Sequence, residues 1–142
     1  MIVHKGKERK AVKKSRFQFT NPRVANIRFA INENFERKNF DGISINSEIS
    51  SADIEENKEA LVRLRLRIGE KTKNMPFMCE IEMVAKFKVE EEMEREQFQR
   101  LLNVNAPAML TSYARPIIAF MTMQSGLPVF HLPFIDFTES EA

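Results

Sequence analysis

The chain has 142 residues, of which 43% are apolar and 30% charged, and a formal charge of +2. That is room for one domain with a buried core and an ordinary globular composition. No apolar run reaches the roughly 18 residues of a membrane span, the basic start lacks the apolar stretch of a secretory signal, and a single cysteine, Cys79, excludes an internal disulfide and fits a reducing cytoplasm. Lys5, Lys7, Arg9, Lys10, Lys13, Lys14 and Arg16 crowd the N-terminus, so residues 1–14 read as a basic, solvated tail. No aromatic interleaves with these charges, which favours a solubilising arm over a nucleic-acid or lipid contact.

From Phe17 the pattern alternates. Phe17 and Phe19 precede Asn21-Pro22, and Val24, Ile27, Phe29 and Ile31 follow. Pro22 predicts an edge strand or a bulge. After polar breaks at 32–34 and 38–39, Ile43, Ile45 and Ile49 recur at period two, and 51–57 reads as a polar loop. Val62, Leu64, Leu66 and Ile68 then alternate with Arg63, Arg65 and Arg67, which predicts a strand with one buried face. Beyond a polar turn at 69–74, Phe77, Cys79, Ile81, Met83, Ala85, Phe87 and Val89 resume the alternation.

At Glu90 the period changes. Glu90, Glu91, Glu92 and Glu94 suit a helix N-terminus through the macrodipole, with Phe98, Leu101 and Leu102 on one side of a short helix ending near Asn103. Asn105 followed by Pro107 reads as an N-cap and first-turn proline. A second helix follows, with Met109, Leu110, Tyr113, Ile117, Phe120 and Met121 at helical spacing. Pro116 cannot donate to the Ser112 carbonyl and predicts a bend there. Gly126 supplies a left-handed stop and Pro128 forbids continuation. Strands first and helices afterwards give an α+β fold: one domain over 15–142, with a four-stranded antiparallel sheet over about 15–90, helices over about 91–126 and an extended segment over 127–142.

The arginine row 63/65/67 could be an anionic binding stripe, but it reads first as a charge ladder across a hairpin. With a turn centred near 72–73, Arg65 falls opposite Glu80 and Arg63 opposite Glu82, pairs worth roughly 0.2–1 kcal/mol each. His131 and His4 have no second ligand at metal spacing. Cys79 faces the core with Phe77 and Ile81 and reads as an apolar filler, since a reactive thiolate needs exposure and a neighbouring cation. There is no phosphate-cradling glycine loop, dinucleotide fingerprint, GxSxG or HExxH. The expectation is a non-enzyme with no catalytic residues, metal or cofactor. Twelve Phe and eight Met leave an apolar surplus in Phe98, Leu101 and Leu102, and again from Val129 to Phe137, that either subunits or a ligand must cover.

The string from Asn105-Ala106-Pro107-Ala108-Met109-Leu110 through Tyr113-Ala114-Arg115 to Gly126-Leu127-Pro128 resembles the C-terminal half of the SecB protein-export chaperones. Pro76-Phe77-Met78-Cys79-Glu80-Ile81 looks like that family's Phe-x-Cys-Glu-Val strand, and Gly69-Glu70 matches the turn before it. The resemblance runs from about Phe17 to Phe137. It implies a four-stranded antiparallel sheet backed by helices, assembled as a dimer of dimers. It implies an ATP-independent cytoplasmic holdase that keeps non-native chains in apolar grooves between sheet and helices and passes them to the SecA motor. Docking of that motor on the fourth strand would fall at Met78 and Glu80.

Three departures point to a divergent branch. Asn26 and Arg28 stand where the family carries acidic contacts in the first strand, Pro116 follows Tyr113-Ala114-Arg115, and the sequence after Phe137 leaves no room for the family's last helix. Such branches include chaperones dedicated to one partner, for example an antitoxin. The expected client lining is Phe98, Phe130 and Phe134, and the expected subunit contact is the helix face Met109, Tyr113, Ile117 and Phe120, most simply in a homotetramer. Nucleic acid and membrane insertion are not expected. A non-chaperone scaffold, its surplus used up by oligomerisation, is the alternative from another class.

Overall fold

The computed structural model describes residue 6, residues 9–70 and residues 73–138. His4 with the rest of residues 1–5, residues 7–8, residues 71–72 and residues 139–142 lie outside the described residues. Four strands come first: β1 (Phe17–Ile31), β2 (Ile45–Glu55), β3 (Glu59–Ile68) and β4 (Phe77–Val89). They form one antiparallel sheet in the order β1-β4-β3-β2. A helical arm follows, made of α1 (Arg95–Arg100), a π-helical turn (Leu101–Asn105) and α2 (Ala106–Gln124). The α+β architecture is the one expected.

The alternation decides which face is buried. Val62, Leu64, Leu66 and Ile68 are fully buried, and every odd residue of β4 from Phe77 to Val89 is at most 2% exposed. Against this face pack Phe98, Leu102, Ala106, Leu110, Ala114 and Ile118, which recur at helical spacing, together with Leu132. Each of the larger side chains among them contributes roughly 1.5–3 kcal/mol of burial. Pro22 sits on an edge strand, with Asn21 left-handed at φ 54° and the β1–β4 register slipping between Thr20 and Arg23. Both sequence expectations for that proline therefore hold, because an edge strand tolerates a missing donor.

Three expectations need correction. Residues 51–55 are not a loop: β2 continues to Glu55, with Ser51, Ala52 and Asp53 opposite Val62, Leu61 and Ala60. The ladder satisfies backbone groups whatever the side chains, and on an edge strand polar side chains reach water, so the turn shrinks to the residues around Asn57 (φ 58°). The β3–β4 register is displaced by two: Arg65 faces Glu82 and Arg67 faces Glu80. Two is the side-chain period, so every face assignment survives. The pairing ends with Ile68 opposite Cys79, so the hairpin is centred between residues 73 and 74 rather than at 72–73.

The third correction concerns the helices. Glu90–Glu92 do not begin one. Val89 N–H still bonds the Lys58 carbonyl (2.9 Å) and Met93 N–H the Asn57 carbonyl (3.3 Å), which holds the chain against the β2–β3 turn until Arg95. Nor does Asn105 cap a new helix, since it is itself helical (φ −72°, ψ −41°) and makes no side-chain cap bond. The arm is continuous because the π turn, in which Ala106 N–H reaches the Leu101 carbonyl, gives Pro107 room without a break. α2 runs on through Pro116 to Gln124. It ends as expected at Gly126 (φ +75°), where Leu127 N–H bonds the Thr122 carbonyl (3.2 Å) and Gly126 N–H bonds that of Met123 (3.3 Å). This is the paired-bond Schellman stop that a left-handed glycine permits.

Candidate functional site

Where α2 stops, the chain turns back over the end of the sheet and meets the β1–β2 connection. Two asparagines pin that connection. Asn32 Nδ2 donates to the Met75 carbonyl (2.9 Å), while Asn74 accepts from Glu36 N–H (2.8 Å) and donates to the Glu36 carbonyl (2.7 Å). Phe35 and Phe40 pack edge to face, 5.4 Å between centroids. On the other side, buried Thr122 Oγ1 accepts from Phe130 N–H (2.9 Å), and the Phe130 ring meets Phe77 edge-on at 5.7 Å.

Between these walls lies a cavity of about 450 Å³, lined by Phe35, Arg37, Phe40, Ile43, Pro76, Phe77, Gly126, Leu127, Pro128, Val129 and Phe130. Its size is that of a small-ligand site. Its lining is almost wholly apolar, with Arg37 the one charged side chain. Such a surface has no group for covalent chemistry. It can bury apolar side chains of something extended.

The sequence-predicted residues are scattered. Phe130 lines the cavity. Phe98 does not: it is 0% exposed in the core beneath α1, because its position on the short helix aims it at the sheet. Phe134 also lies outside the cavity, 96% exposed, with the Arg115 guanidinium 5.4 Å from its ring. Arg115 Nε donates to the Leu132 carbonyl (2.9 Å), tying the C-terminal segment back along α2. Met109, Tyr113 and Phe120 are exposed on α2 and Ile117 is half-buried, with Tyr113 edge-on to Phe19 at 5.9 Å. Met78 and Glu80 are half-buried on the solvent face of β4. Sequence reasoning missed Phe35 and Phe40, which sit in a connection with no periodicity. Two phenylalanines in an otherwise polar stretch were the available signal.

The ladder on the solvent face is denser than pairwise. Glu80 lies within 4.0 Å of Arg28, Arg65 and Arg67, and Glu82 bonds both Arg63 and Arg65. The Arg63 hydrogen bond, then that of Arg65 and the charge of both, outweigh desolvation and hold the Glu82 carboxyl below the usual carboxylate range. A depressed folded pKa contributes stability that is present above the unfolded value of about 4.3 and is lost as pH falls through the folded one. Glu82→Gln is therefore expected to cost on the order of 1 kcal/mol at pH 7, a value held down by the half-exposed guanidiniums. In urea unfolding, the gap between wild type and variant should narrow toward pH 3. An unchanged gap would place the effect in packing instead. Burial pushes the Cys79 thiol up to about 11, which suits an inert filler.

No group of three His, Cys, Asp or Glu among the described residues is arranged to hold a metal. No helix among them is long and apolar enough to cross a membrane.

Residues 27–140 match the family model for the preprotein translocase subunit SecB. The chain is 39% identical over 80 residues to the protein-export protein SecB of Anaplasma phagocytophilum (strain HZ), covering 54% of this chain and 51% of that protein. It is 32% identical over 105 residues to the protein of the same description from Anaplasma marginale (strain Florida), covering 67% of this chain and 60% of that one. The matches thus span between half and two thirds of those relatives' lengths. Among solved structures, a Mycobacterium tuberculosis SecB-like chaperone in complex with a ChAD peptide from the HigA1 antitoxin superposes with a TM-score of 0.61 at 20% identity, covering 85% of this chain and 91% of that one. That likeness is one of fold. With the family model matched over most of its length, the chain belongs to the SecB family.

Proposed function

We propose that this protein is an ATP-independent cytoplasmic holdase that keeps non-native polypeptides soluble by burying their apolar side chains in the cavity between the β1–β2 connection and the segment after α2. The apolar, aromatic lining of that cavity carries the reading. Family membership and relatives described as protein-export proteins support it. Burial yields roughly 25 cal/mol per Å², so one site binds one short segment modestly. Strength comes from several such sites along one client.

The test follows aggregation of a slow-folding client diluted from denaturant, with and without equimolar protein and without nucleotide. Wild type is expected to suppress it. The double variant Phe40→Ser, Phe130→Ser is expected to lose most of that effect, about ten-fold in the concentration required, while retaining its fold by circular dichroism. No suppression by wild type across several clients would sink the proposal in favour of an assembly scaffold.

The cavity needs an oligomer only if one subunit is too small to hold a chain along its length. Met109, Tyr113, Ile117 and Phe120 form a partly exposed apolar strip on α2, and we propose it as a subunit contact in a tetramer built as a dimer of dimers. Light scattering should give the tetramer mass at micromolar concentration, and Tyr113→Glu with Phe120→Glu should lower it. A monomer mass for the wild type would end this part of the reading.

One observation favours a second reading. Glu80, the position at which motor docking would be sought, is ringed by three arginines, and Arg28 and Asn26 occupy the first strand beside it. A basic partner is not favoured on such a face. A chaperone dedicated to one partner, antitoxin or other, fits it better than a general export factor. Suppression confined to a single client in the same assay would select it.

A further inference from the structure

We infer that the solvent face of the sheet is a docking surface for an acidic, extended polypeptide segment, read by arginines of β3 and β1. The proposal goes beyond the holdase reading and uses the face opposite the one covered by the helices.

The strand pairing places Arg67, Glu80 and Arg28 in one row across the sheet, Arg65 beside Glu82 in the next, and Arg63, Val84 and Arg23 in the third. Five arginines share these rows with two glutamates of β4. Depth separates the two signs. Glu80 and Glu82 side chains are 17% and 10% exposed, whereas those of Arg28, Arg67, Arg65 and Arg63 are 67%, 56%, 45% and 44% exposed. The carboxylates lie at the floor and orient the guanidiniums; the guanidiniums are what an approaching partner meets. Each retains donors beyond those given to its glutamate, since the fork carries five N–H groups.

Spacing names the partner. Alternate residues on one face of a strand stand about 7 Å apart, so Arg63, Arg65 and Arg67 repeat at the interval of alternate carboxylates in an extended peptide. Arg28, two strands from Arg67, lies about 10 Å away and offers a second row. A phosphate backbone fits less well. No aromatic side chain stands among the rows to stack a base, and the exposed Glu48, 3.6 Å from Arg65, interrupts the positive field at the β2 side. A peptide can place a neutral or basic residue there.

The experiment uses the full chain and fluorescence anisotropy. The probes are a labelled peptide of about twelve residues alternating Glu and Ser, long enough to run past the three-arginine row, the same peptide with Lys for Glu, and a single-stranded RNA of similar length. The acidic peptide is expected to bind, the lysine peptide not to, and the affinity to fall as salt is raised. The double variant Arg28→Gln, Arg67→Gln is expected to weaken the acidic peptide roughly ten-fold and to leave suppression of apolar-client aggregation unchanged. The charge-reversed Arg28→Glu, Arg67→Glu should abolish binding, with circular dichroism verifying the fold. Equal binding of both peptides, full affinity in the glutamine variant, or tighter binding of the RNA than of the acidic peptide would each overturn the assignment. Loss of aggregation suppression with acidic-peptide binding intact would strike the holdase reading alone.

Discussion

Phe98→Ala is expected to lower stability by about 3–5 kcal/mol, rather than to weaken client binding selectively. The ring is completely buried. It is the one buried side chain of α1, a six-residue helix with no side-chain N-cap. A helix that short is not stable on its own, so its place depends on what Phe98 and Leu102 bury against the sheet. Removing the ring leaves a cavity under α1 that the hydrogen-bonded sheet beneath cannot collapse to fill. Against a typical total of roughly 5–15 kcal/mol, the loss is about a fifth or more. Urea denaturation followed by far-ultraviolet circular dichroism measures it. A variant with unchanged midpoint and lost client binding would return Phe98 to the groove.

Gly69→Ala, at a buried turn position, is expected to cost about 2–4 kcal/mol. Two effects add. The backbone at φ +74° disfavours any side chain, and a Cβ placed there would lie 2.0 Å from the Phe77 carbonyl oxygen, a backbone atom that cannot rotate away. Gly126→Ala is the control. Its φ of +75° is nearly the same, yet nothing lies within 4 Å of the added carbon. That variant should lose only the left-handed penalty, about 1 kcal/mol. The difference between the two variants in thermal unfolding isolates the steric part, and equal losses would contradict it. Gly69 also carries a functional consequence. Its N–H bonds the Ser44 carbonyl (2.9 Å), beside the cavity wall formed by Ile43 and Phe77. On the holdase proposal, displacing the Phe77 carbonyl should loosen that wall and weaken client holding along with stability.

Much of the fold was legible because it rests on local periodicity. The period-two runs of β3 and β4 name their buried residues one by one, and Gly126 with Pro128 names the stop of α2. Each signal comes from how neighbouring side chains must point, and that is settled within a few residues. Pro22 is similar, since a missing donor restricts position whatever the partner strand.

The rest depended on partners distant in sequence. The strand character of 51–55 came from β3, whose backbone accepts and donates regardless of polar side chains. Continuity from α1 into α2 came from the π turn, a choice between two ways of accommodating Pro107 that local composition does not rank. The same division holds at the site. Residues of one strand or helix face were identifiable alone, but the cavity joins three segments, around 35–43, 76–77 and 126–130, that have no periodic relation to one another. Phe98, Phe130 and Phe134 look alike in sequence, and only packing sends the first to the core, the second to the cavity and the third to solvent over Arg115. What the amino-acid sequence determined by itself was therefore the class of fold, the buried faces and the family resemblance, because each follows from short-range pattern. What only the tertiary structure decided was which apolar residues remain open and which charges stand above their partners, because exposure is a property of the whole packed chain.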